Sequence, residues 1–126
     1  MHHLITRAEA RITATPNATM TTLASPTLGA TAGHSLWLVE MAADASGPLH
    51  VFDGEQIWTM LSGRATIDVD GIGQPLEGGD TLVIPGGVER QVQAVSDCRM
   101  LVCGDGAATV SVVGEEAPRG TPAWIV

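Results

Sequence analysis

Tyrosine and lysine are missing from this chain, and phenylalanine occurs once. Without lysine there is no Schiff-base chemistry and no lysine general base. Without tyrosine no phenolic acid is available for proton transfer. Basic residues are scarce as well: six Lys+Arg, all arginine, stand against 14 acidic residues, for a formal charge of −8. Nucleic-acid backbones are held by clustered basic side chains, so nucleic acid is not an expected partner. The acidity reads as a solubility feature.

Long apolar runs are absent too. No stretch approaches the ~20 apolar residues of a membrane-spanning helix, and no membrane partner is expected. The opening "MHHLITRAEARITATPN" lacks the apolar core of a signal peptide. The two cysteines, Cys98 and Cys103, lie five apart in "DCRMLVCG". On one strand their Cα atoms would stand ~16 Å apart, beyond the roughly 7 Å limit of a disulfide. They have no zinc-motif spacing and read as buried structural thiols. A reduced, cytoplasmic protein is the expectation.

What the chain does contain is turn and strand material. Its 126 residues include 15 Gly and 7 Pro, and Val, Ile, Thr and Ala are plentiful. That length suits one domain. "RATIDVDG" alternates cleanly, with Ala65, Ile67 and Val69 on one face, and ends on the turn signal Asp70-Gly71. Further strands are expected in "SLWLVEM", "LHVF", "QIWTMLSG", "TLVIP", "VERQVQAV", "CRMLVCG" and "TVSVVG". They recur every eight to twelve residues or so, which favours an all-β sandwich or barrel. Residues 1–33 are expected to form an arm with an edge strand at 19–25. Residues 34–114 form the barrel, and 115–126 a Pro-broken tail that packs on it.

Two glycine-punctuated stretches carry a family resemblance. "GPLHVFDGEQIWTMLSG" presents Gly47, His50, Phe52, Gln56 and Gly63. "GDTLVIPGGVERQVQA" presents Gly79, Pro85, Gly87, Arg90 and Ala94. Together they resemble the two motifs of the cupin superfamily over residues 34–104. The resemblance implies a single-domain double-stranded β-helix, a jelly-roll-like barrel, often assembled as a homodimer. It also implies that four positions correspond to metal ligands, usually His, His, Glu and His. Here they hold His50, Phe52, Gln56 and Arg90. Phenylalanine cannot coordinate, and arginine is a permanent cation without a free lone pair. His50 and Gln56 are what remains of a ligand set, so no cofactor is expected. A divalent metal is the alternative, if His34 or Glu40 enters from a neighbouring strand.

The altered site points to an organic ligand. His50 is the candidate acid or base, with an unperturbed pKa of about 6.5. Arg90 would lower that pKa and offers a fork to an anionic oxygen. Alternatively it pairs with Glu89, Asp80 or Glu55. Gln56 is an orienting group. Phe52, Trp58, Met60 and Trp37 are expected to line an apolar pocket. Asp53 either caps its own turn or orients His50. Three functions follow. The first is a metal-independent isomerase, cyclase or lyase working by proton transfer through His50, Arg90 and Gln56. The second is a non-catalytic binding module for an apolar, anionic metabolite. The third is a metal-dependent dioxygenase or isomerase with unusual ligands. Metal-free sugar epimerases of this superfamily rely on a tyrosine acid, which this chain lacks.

Overall fold

The structure, a computed structural model, describes residues 2–126. After a single 3₁₀ turn at Arg7–Glu9 come eleven strands: β1 (Arg11–Ala14), β2 (Thr19–Ala24), β3 (His34–Met41), β4 (His50–Phe52), β5 (Gln56–Ser62), β6 (Arg64–Val69), β7 (Ile72–Glu77), β8 (Thr81–Ile84), β9 (Glu89–Ala94), β10 (Cys98–Asp105) and β11 (Val110–Val112). They form a six-stranded sheet, β1-β2-β3-β10-β5-β8, and a five-stranded sheet, β11-β4-β9-β6-β7. Every strand pairing is antiparallel. The expected all-β barrel is therefore present.

Alternation places the core. Along β3, Ser35, Trp37, Val39 and Met41 are buried, while His34 and Glu40 are exposed. Side chains on a strand change face at each residue, so the cross-strand neighbours follow suit. Trp37 partners Val102, and Val102 partners Trp58. From the opposing sheet come Phe52, Ala65, Ile67, Val92 and Ala94. Cys98 and Cys103 are both free; Cys98 is buried, but the odd spacing turns Cys103 to the outer face, where it is only half-buried.

Local turn chemistry fixes the hairpins. Asp70 (φ 50°) and Gly71 (φ 78°) both take the left-handed conformation that a tight two-residue turn between β6 and β7 requires. Gly63 (φ 80°) joins β5 to β6, and a Cβ there would lie 2.0 Å from the Asp97 carbonyl oxygen, so no other residue fits.

Two elements differ from the sequence expectation. β7 is not anticipated by patterning, because Pro75 interrupts its run. It lies at the edge of its sheet, where a missing N–H is tolerated. At the other end, Thr19–Ala24 is not an edge strand. The chain turns at Thr15–Ala18, held by Thr15 N–H to Ala18 O at 2.9 Å, and β1 pairs outside it. The N-terminal segment thereby extends the barrel sheet by two strands.

Candidate functional site

β4, β5 and β9 bring His50, Phe52, Gln56 and Arg90 together. His50 lies opposite Arg90 in the register between β4 and β9. The His50 and Phe52 rings meet edge to face, with centroids 5.3 Å apart. The Arg90 guanidinium carbon stands 5.7 Å from the centre of the Phe52 ring, within range of a cation–π contact.

Arg90 is fully buried. Its Nη2 donates to Pro85 O at 2.8 Å and Val88 O at 3.2 Å, its Nε to Val88 O at 3.3 Å, and its Nη1 to Gln56 Oε1 at 3.4 Å. No carboxylate pairs with it: among the described residues the ion pairs are Arg99–Glu40 and Arg119–Glu115. The expected pairing with Glu89, Asp80 or Glu55 is not formed. Asp80 instead accepts the Glu77 N–H at 2.9 Å, and Glu89 and Glu55 are exposed. Burial lowers the Arg90 pKa to about 10, against the attraction of Asp70, so it stays charged at neutral pH. The expected anion fork is not presented either. The guanidinium spends its donors on main-chain carbonyls and Gln56, behind the cavity wall.

His50 is held just as closely. Its Nδ1 lies 2.6 Å from Pro48 O. A carbonyl can only accept, so Nδ1 carries the hydrogen, and the neutral ring keeps its lone pair on Nε2. Burial first, then repulsion from Arg90, lowers its pKa, against the opposing effect of the Pro48 contact. Gln56, 1% exposed, accepts at Oε1 from Trp58 Nε1 at 3.1 Å as well as from Arg90. Two donors on one oxygen fix which way the amide points. Gly104 provides the space, since a Cβ there would lie 3.2 Å from Gln56 Cγ and 3.4 Å from the Trp37 ring.

In front of this wall is a cavity of about 410 Å³, lined by His50, Phe52, Gln56, Trp58 and Trp37 from the predicted set. Met60 is fully buried but does not line it, and neither does Arg90. Sequence reasoning missed the rim. Thr15 to Ala18, Met20, Arg119, Pro122 and Trp124 also line the cavity. The one available signal was the apolar run at Ala123–Val126 with its tryptophan. That segment is tied down by Thr22 Oγ1 to Trp124 O at 2.6 Å and by Ser35 Oγ to Ile125 O. Arg119 is the cation that does line the cavity, but it is exposed and its Nη2 pairs with Glu115 at 2.7 Å.

Asp53 does not bond His50. Its carboxylate accepts from Thr109 N and Thr109 Oγ1, both at 2.8 Å, and these bonds hold its pKa below the usual value. It fastens the β10–β11 loop to the β4–β5 turn. Gly86 packs beside it, where a Cβ would lie 2.7 Å from Asp53 O. The Pro-Gly-Gly turn is thereby locked against the strand that carries His50.

The donor set does not fit a metal ion. Phe52 has no lone pair and Arg90 repels a cation. His34 and Glu40 both face outward on β3, so neither completes a ligand set. Among the described residues no three His, Cys, Asp or Glu side chains converge.

The fold and site define a β-barrel with an apolar cavity whose few polar groups are fixed from behind. A family model described as a cupin domain matches residues 37–104, more than half of the chain, and the protein belongs to the cupin family. A search of curated proteins finds no match. Among solved structures, the chain is similar to an RmlC-like cupin from Shewanella frigidimarina (TM-score 0.70, 16% identity, 83% of this chain and 91% of that one). It is similar to KdgF from Halomonas sp. (TM-score 0.72, 18% identity, 83% and 94%). It also resembles salicylate 1,2-dioxygenase from Pseudoaminobacter salicylatoxidans, solved with gentisate (TM-score 0.73, 18% identity), matching 83% of this chain but 31% of that one. At such identities the likeness is one of fold.

Proposed function

We propose that this cupin is a metal-independent enzyme, an isomerase, cyclase or lyase that moves a proton within its apolar cavity. The observation that carries this reading is His50: half-buried, its pKa lowered, with Nδ1–H pinned to Pro48 O on a cavity-lining strand. Its Nε2 takes a proton from an acidic C–H or O–H of the substrate. The electron pair left behind moves onto the substrate's carbonyl oxygen, and the imidazolium returns the proton at another atom or to a leaving group. The charge of Arg90 disfavours a lasting imidazolium and so favours that return. Phe52, Trp58 and Trp37 hold the apolar skeleton. Assembly as a homodimer is part of this reading. It is supported by the outer face of the six-stranded sheet, where Ile57, Leu61 and Val83 are exposed. The two free cysteines fit a reducing cytoplasm, and among the described residues no helix is long and apolar enough to cross a membrane.

The test is proton exchange. Wild type and His50→Gln are incubated in D₂O with a panel of apolar enolisable ketones, and loss of the α-proton signal is followed by NMR. Catalysed exchange by wild type, reduced by a factor of about 10² or more in the variant, is expected. Exchange that survives the substitution overturns the role of His50. No exchange, with a metabolite retained in native mass spectrometry, makes the protein a binding module instead.

A further inference from the structure

The orientation of Gln56 says what kind of ligand the cavity takes. Its Oε1 is occupied by Trp58 Nε1 and Arg90 Nη1, and among the described residues no acceptor takes its Nε2 hydrogens. Gln56 lines the cavity, so that amide is the donor available there. His50, with Nδ1–H committed to Pro48 O, offers a lone pair at Nε2. Among the described residues no acidic residue lines the cavity, and the one permanently charged lining residue, Arg119, is exposed and engaged by Glu115. Gln56 is buried and His50 half-buried, and a bound ligand would shield both from water, so a ligand that leaves either unpaired is penalised.

We propose that Gln56 and His50 form a donor–acceptor pair selecting an uncharged ligand that carries a carbonyl and a hydroxyl on an apolar skeleton, and that Arg90 is a positioning residue for Gln56 and not an anchor for an anion. The guanidinium takes the place where the family resemblance implies a metal ligand, and its effect reaches the ligand through the amide. A volume of about 410 Å³ suits a molecule of one or two rings. The inference deepens the proposed function, because it shares the neutral His50, but binding can be read without turnover.

The experiment is calorimetric titration with three probes of one ring. These are meta-hydroxyacetophenone, with carbonyl and hydroxyl; meta-ethylphenol, without the carbonyl; and meta-hydroxybenzoate, with a charge. Wild type is expected to bind the ketone about tenfold more tightly than the ethylphenol, the worth of one hydrogen bond to a buried group, and the benzoate more weakly than the ketone. Gln56→Glu has no amide donor and keeps a charge partner for Arg90; it is expected to abolish the preference for the ketone over the ethylphenol. Arg90→Met and Trp58→Phe are expected to reduce the same ratio in part, which a merely structural role would not do. A ketone preference intact in Gln56→Glu overturns the proposal. So does a benzoate that binds tightest in wild type and is lost in Arg90→Met. No binding of any probe also overturns it, while catalysed D₂O exchange under those same conditions would leave the enzymatic reading standing.

Discussion

The inner wall of the cavity and its rim are held by contacts of very different range. On the wall, His50, Trp58 and Arg90 each bond a group two residues away, at Pro48, Gln56 and Val88. The C-terminal segment that carries Trp124 of the rim is held by Thr22, Ser25 and Arg11, which reach groups 102, 101 and 115 residues away, at Trp124 and Val126. The wall is built from such local contacts and one link across strands, Arg90 Nη1 to Gln56 Oε1, which together set the direction of its polar atoms. The rim is a long-range closure between the first strands and the last residues. The two should respond differently to substitution, chemistry failing first on the wall and folding first on the rim.

The largest stability effect is expected in the core residue next to the rim. Ile125 is fully buried, and Ile125→Ala should destabilise by about 3 kcal/mol in urea titration. A loss under about 1 kcal/mol would mean the closing segment is not part of the core. On the wall, Gln56→Leu leaves Arg90 Nη1 and Trp58 Nε1 without their acceptor, and should cost about 2 kcal/mol. Arg90→Met should stay within about 1 kcal/mol of wild type or exceed it, because it removes a buried charge without a carboxylate partner. If Arg90→Met were the worse of the two, the guanidinium and not the amide would hold the wall together. Thr22→Val removes one rim hydrogen bond of 2.6 Å and should cost about 1 kcal/mol.

The smallest effect is one of pH. His50 has a native pKa below its unfolded value of 6.5, through burial and then Arg90. Between the two values the unfolded chain binds the proton that the native chain resists. This contribution to stability is therefore complete above 6.5 and is lost as pH falls to the native pKa. His50→Gln should flatten that part of the stability–pH curve; an unchanged slope there would place the titration elsewhere.

The same difference in range explains what the sequence could disclose. Gly63, Asp70-Gly71 and the Pro85 turn announce hairpins by their own backbone preferences, and the clean alternation of Ala65, Ile67 and Val69 announces its strand. The resemblance to the cupin motifs implied that His50, Phe52, Gln56 and Arg90 share one site, and strand periodicity then put Trp58 on the face of Gln56. Arg90 could be assigned to the wall but not to its partners, since three main-chain carbonyl contacts leave no mark in side-chain identity. Met60 shares the parity of Trp58 but not its depth. Nothing in residues 15–18 or 119–124 tells that both line the cavity. β7 was hidden because Pro75 argues against a strand until its edge position is known.

The central claim is that Arg90 and Phe52 have replaced metal coordination with a fixed organic wall. The most direct measurement is the divalent-metal content of wild type and of Phe52→His with Arg90→His, prepared side by side without chelator or nickel resin. Wild type should hold far less than one equivalent. The double variant, with three imidazoles beside Gln56, should hold about one. Stoichiometric metal in wild type, lost in His50→Ala, would contradict the account.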